Sequence, residues 1–167
     1  MAFPQRKPNR LPHFDYSAQG GYFVTICTHN RKNTLSDIVG DGSPVPKTPG
    51  QIAKVFIAEI PEKYPCVHVD NYVIMPNHIH LLLQIENSGE TQKPSPALGD
   101  IIGWYKYQVT KSVNAHYGTI GARFFQRSYH DHVIRGEGDY FKIWEYIDSN
   151  PARWKDDCFY TEEPDEL

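Results

Sequence analysis

His78 and His80 are the residues of this sequence best placed to do chemistry. Ile79 separates them, and the apolar run Leu81-Leu82-Leu83 follows. In an extended strand, side chains alternate faces with a period of two, so both imidazoles point the same way. Two imidazoles fixed on one face of a rigid strand make half of a metal site. A second candidate pair lies much further along, in Trp144-Glu145-Tyr146-Ile147-Asp148-Ser149-Asn150-Pro151. Tyr146 and Asn150 are spaced i, i+4 and share one face of a helix. Asn150 offers a neutral amide oxygen, a hard ligand suited to Mg2+ or Mn2+. Tyr146 offers a phenol one turn earlier. The same spacing equally suits a core tyrosine and an asparagine that ends a helix before proline. Spacing alone leaves both readings open.

Another His-x-His pair, His130 and His132, has a charged residue, Asp131, at its centre. No helix bearing a nucleophile follows it in a suitable relation, so it reads as a decoy. His29 reads as a strand-end residue.

The elements that must position these groups follow from periodicity and punctuation. Residues 21–28 alternate and are rich in aromatic and β-branched types, which predicts a strand. Residues 36–50 are crowded with Gly, Pro, Ser and Asp and read as loop. Ile52, Val55, Phe56 and Ile60 recur at helical spacing over 51–63, with Pro61 as a stop signal. Residues 67–75 and 78–85 read as an antiparallel hairpin around Pro76-Asn77. A polar loop, 87–97, leads to a helix over 98–116. Its stripe is Leu98, Ile101, Ile102, Tyr105, Val109 and Val113, and Gly118 suits its end. Residues 129–135 predict a fourth strand, and 139–149 a third helix that ends before Asn150-Pro151.

The first six elements spell β-α-β-β-α-β, the ferredoxin-like arrangement. The expected fold class is therefore α+β: a four-stranded antiparallel sheet with two helices on one face. The additional C-terminal helix would pack near His78 and His80 on the other.

At 167 residues, with 40% hydrophobic content, the chain suits one domain, 1–167, with an N-terminal arm at 1–20 and an acidic tail at 152–167. No run approaches the roughly 18 apolar residues of a membrane helix. The opening MAFPQRKPNRLP has no apolar core for a secretory signal. Cys27, Cys66 and Cys158 form no metal-binding or disulfide framework, and free thiols point to a reducing cytoplasm. The net charge of −3 is unevenly spread. Six acids fall in 156–167, leaving 17 basic against 14 acidic side chains in 1–155. Local basic patches govern phosphate contact more than net charge does.

These motifs identify a resemblance. The segments LPHFDYSAQGGYFVTICTHNR, VIMPNHIHLLL, FFQRSYHDHVIR and EYIDSNPARW resemble the single-tyrosine HUH transposases, and more closely their REP-associated branch. The likeness runs over most of the chain. It implies that His78, His80 and Asn150 hold a divalent metal, Mg2+ or Mn2+, and that Tyr146 is the nucleophile. The implied activity is cleavage and rejoining of single-stranded DNA beside a hairpin, through a 5′-phosphotyrosine. The metal would polarise the scissile phosphate, and one tyrosine per chain would make one covalent link at a time. Arg6, Lys7, Arg10, Arg31 and Lys32 become candidate DNA contacts, with Lys106 and Lys111 on the long helix. Tyr105 and Tyr107 face different sides of that helix, so at most one is core. The implied partner is hairpin-bearing DNA, met in the cytoplasm by a monomer or a homodimer.

Two other readings stay open on the residues alone. One is a non-catalytic module that binds single-stranded nucleic acid on a ferredoxin-like sheet, although no RNP1-type aromatic signature is present. The other is a zinc hydrolase, which would want a further ligand and a general base.

Overall fold

The computed structural model describes residues 10–86 and 95–162. In chain order its elements are β1 (Gly20–Cys27), β2 (Ser36–Ile38), β3 (Pro44–Pro46), α1 (Thr48–Lys63), β4 (Val67–Ile74) and β5 (His78–Ile85). Then come α2 (Leu98–Tyr117), β6 (His130–Val133) and α3 (Glu137–Ser149). A 3-10 turn, His29–Arg31, follows β1, and a 3-10 helix, Pro151–Asp156, follows α3. The main sheet has the order β4-β5-β1-β6, with every neighbouring pair antiparallel. This is the expected ferredoxin-like arrangement, with α3 as the added helix.

The segment read as loop departs from expectation. Ser36–Ile38 and Pro44–Pro46 pair antiparallel as a separate small sheet. Strands of three residues are too short to show alternation, and the prolines disguise them as loop. The first helix starts three residues earlier than predicted, at Thr48. Pro49 lies in its first turn, where a missing N–H costs nothing. Its core face is Ala53, Ile57 and Ile60, while Val55 is exposed. The small Ala53 replaces Val55 on that face because it lets α2 approach. The buried Tyr105 hydroxyl donates to the Ala53 carbonyl at 3.1 Å.

The strand β5 divides the molecule. Ile79, Leu81, Leu83 and Ile85 enter the large core beneath α1 and α2, with Leu98, Ile101, Ile102, Tyr105, Val109 and Val113. Leu82 points the opposite way and joins Val73, Met75, Ile143 and Ile147 under α3. His78 and His80 share the parity of Leu82, so they lie on the α3 face. The helix that carries Tyr146 is therefore seated by this small apolar patch. We expect Ile147→Ala to lower unfolding stability by about 2–4 kcal/mol, read as a lower urea midpoint. It should loosen α3 without touching either histidine.

Candidate metal and tyrosine site

His78 and His80 are almost fully buried, and their Nε2 atoms lie 3.1 Å apart. Pairing of β5 with β1 sets His78 opposite Cys27 and His80 opposite Thr25. Each imidazole has a partner on its other nitrogen. His78 Nδ1 lies 2.9 Å from Asn77 Oδ1. Asn77 Nδ2 donates to the Phe159 carbonyl at 2.7 Å, which fixes its oxygen toward His78. An amide oxygen only accepts, so the His78 proton is on Nδ1 and the Nε2 lone pair is free. His80 Nδ1 lies 2.9 Å from the Thr25 hydroxyl, which can donate or accept. When Nδ1 carries the His80 proton, the two Nε2 lone pairs converge on one point, as a shared cation requires.

Helix α3 and the turn after it close the site. Asn150 is buried. Its Nδ2 donates to Asp157 Oδ2 at 2.7 Å, while its Oδ1 has no hydrogen-bond partner among the described residues. Asp157 Oδ2 lies 3.9 Å from His78 Nε2, and its carboxylate is 1% exposed. Its Oδ1 accepts the Phe159 N–H at 2.8 Å. Thus a buried carboxylate, an amide oxygen with no described partner and two imidazole nitrogens stand together, and the groups that donate hydrogen bonds to the carboxylate, Asn150 Nδ2 and the Phe159 N–H, are neutral. Burying such a charge without a counter-charge is costly. Mixed oxygen and imidazole donors fit a divalent cation, and His78, His80 and Asp157 offer ligand atoms within 4.8 Å of one another.

Tyr146 is 41% exposed. Its ring centre lies 5.3 Å from that of His80 and 6.0 Å from that of Phe23. With Asn150, Asp157 and Arg153 it lines a hollow of about 510 Å3. Burial and the Asp157 charge raise the phenol above its ordinary range, against an opposing contact with Asn150. At neutral pH it is protonated.

Burial lowers His78 to about 4, against the pull of the Asp157 charge, and also lowers His80 well below its usual value. Unfolded histidines take up protons near 6.5, where the folded site still refuses them. This contribution to stability is therefore complete above about pH 6.5 and lost as pH falls toward 4. In EDTA, the urea midpoint of the protein should fall across that window. His78→Gln should flatten the decline; an equally steep decline would contradict this assignment.

The remaining candidates divide. Arg10 pairs with Asp131 and lies 3.7 Å above the Tyr129 ring, which ties it to the edge of β6. Arg31 and Lys32 are exposed, and Arg31 lies over the Phe159 ring. Arg6 and Lys7 lie outside the described residues. Lys106 donates to the Gln126 and Arg127 carbonyls. Tyr105 is core and Tyr107 exposed. His132 bonds Asp139 at 2.7 Å and joins no metal-ligand group among the described residues. Asp157, Phe159 and Arg153 also join the site, although no motif in the sequence marks them. Asp157 lies in the acidic stretch of the sequence, and the 3-10 helix Pro151–Asp156 carries it back to Asn150.

A family model described as IS200-like transposase matches residues 18–150. A protein of Haemophilus influenzae (strain ATCC 51907 / DSM 11121 / KW20 / Rd), described as uncharacterized, is 32% identical over 172 residues, covering 94% of each chain. The solved structure of a REP-associated tyrosine transposase bound to a REP hairpin is similar over 92% of this chain and 74% of that one. Its TM-score is 0.54 and its identity 19%, a likeness of fold.

Proposed function

The chain belongs to the IS200-like transposase family, and we propose that it is a metal-dependent tyrosine transposase acting on single-stranded DNA beside hairpins. The observation that carries this reading is the meeting of His78, His80 and Asn150 beneath Tyr146. An i, i+2 strand pair and an i, i+4 helix pair, some 66 residues apart, arrive at one place. The hairpin in the solved relative supports a hairpin-bearing strand as substrate.

In this reading Tyr146 Oη attacks a backbone phosphorus. The bond from phosphorus to the 3′ oxygen breaks, an Oη–P bond forms, and the phenolic proton is lost as the 3′ oxygen becomes a hydroxyl. The product is a 5′-phosphotyrosine. A later 3′-hydroxyl reverses the step on the same or another strand, so joining needs no external energy source. His78, His80 and Asn150 would hold a divalent ion, whose positive charge would polarise the phosphate and offset Asp157. Asp157 positions the Asn150 amide through its bond to Nδ2, leaving Oδ1 for the ion. Thr25 and Asn77 hold the two imidazoles in orientation. Packing of Tyr146 against His80 and Phe23 limits where Oη can travel. Arg153, on the rim of the hollow, is positioned to meet a phosphate.

The test is incubation with hairpins flanking the protein's own gene, carrying single-stranded extensions, in Mn2+ or Mg2+. The expected result is a covalent protein–DNA species on a denaturing gel that EDTA prevents. Binding without any such species would favour the non-catalytic module.

A further inference from the structure

Beneath α2, on the side of the sheet away from Tyr146, a cleft of about 400 Å3 opens toward the segment that returns to β6. Exposed Lys111, Arg123 and Arg127 line it, beside the exposed Tyr107 ring and the half-buried Phe124 ring. None of its lining residues is acidic, although the chain as a whole carries −3. Tyr107 and Lys111 are one helical turn apart, with Lys111 Nζ 6.0 Å from the Tyr107 ring centre. A cation and an aromatic face are thus presented together. The cleft wall is braced: Lys106 is committed to two carbonyls, and Asn114 Nδ2 donates to the Ala122 carbonyl at 2.9 Å.

The same wall is stitched to the metal-ligand end of the sheet. Gln126 N–H bonds the Cys27 carbonyl, His29 N–H bonds the Phe124 carbonyl, and Thr28 bridges Phe125. Cys27 is the strand partner of His78. Beyond that end, Arg31 lies 5.5 Å over the Phe159 ring, and that ring lies 4.7 Å from His78. Exposed Arg31 and Lys32 therefore follow directly on the segment that joins the cleft wall to the histidine end of the sheet.

We propose that this cleft binds the single-stranded DNA that flanks the cleavage point. Its phosphates lie against Lys111, Arg123 and Arg127, and an unpaired base against Tyr107 or Phe124. Cations set beside exposed rings suit single strands, because a paired base hides its face while an unpaired one stacks. The identity of the strand rests on the transposase reading, but the cleft can be tested apart from the tyrosine.

The full-length protein in EDTA is titrated with an oligothymidine of about twelve nucleotides and with a duplex of equal length. Wild type should bind the single strand more tightly than the duplex. Arg123→Glu/Arg127→Glu should weaken that binding roughly tenfold and flatten the slope of log affinity against log salt by about one to two. Tyr107→Ala should weaken it with the salt slope unchanged. Circular dichroism should show all variants folded, since these side chains are exposed. Equal binding by the double variant and wild type overturns the proposal. So does failure of wild type to bind oligothymidine, or equal binding of duplex. If the oligothymidine results hold but no hairpin ever yields a covalent species, the cleft stands and the transposase reading falls.

Discussion

Tyr146→Phe is expected to abolish the covalent protein–DNA species, by at least about a thousandfold, and to leave hairpin binding and folding intact. The substitution removes one atom, Oη, and keeps the ring that packs against Phe23 and His80. Tyr146 is 41% exposed, so its loss opens no large cavity. Any nucleophile elsewhere would leave the covalent yield unchanged in this variant. The raised pKa of the phenol adds a second signature. Because Tyr146 starts protonated, cleavage in the wild type should rise with pH through the neutral range as proton loss becomes easier. The histidines lose no proton in this range, because burial lowers His78 to about 4 and His80 well below its usual value, so the rise is assigned to the phenol.

The second large effect concerns the cation. His80→Gln and His78→Gln should each weaken divalent-metal binding by at least about a hundredfold, read by calorimetry without DNA, and lower cleavage in parallel. Glutamine keeps a polar side chain in a site that has no room for an unpaired group, so the protein should still fold. Chelation should mimic both variants. A cation bound there would give Asp157 and Asn150 Oδ1 a partner, so Mn2+ should raise the thermal midpoint of wild type. It should raise those of the two variants much less. Unchanged metal affinity in both would remove His78 and His80 from the site.

Much of this was legible in the chain because two periodicities carried it. Alternation along His78–Ile85 placed both histidines on one face, and the stripe of α2 gave the opposite core without error. The i, i+4 relation of Tyr146 and Asn150 put both on one helix face and left their role open. What stayed hidden depends on how the chain turns after that helix. Asp157 reads as one more acid in an acidic stretch until Pro151–Asp156 coils back as a 3-10 helix and buries it. Phe159 is an ordinary aromatic until its backbone caps Asn77 and its ring covers His78. Arg10 looked like a free basic residue, but the pairing of β6 with β1 brings Asp131 to it. The little sheet of β2 and β3 escaped because three residues hold too little alternation to be seen.

The most direct test of the central claim is to form the covalent species on hairpin DNA with Mn2+, digest both components, and locate the attached nucleotide by mass spectrometry. The chain contains 11 tyrosines, so the position is informative. A 5′-phosphonucleotide is expected on the peptide that contains Tyr146, and on no other tyrosine. Attachment at another residue would contradict it.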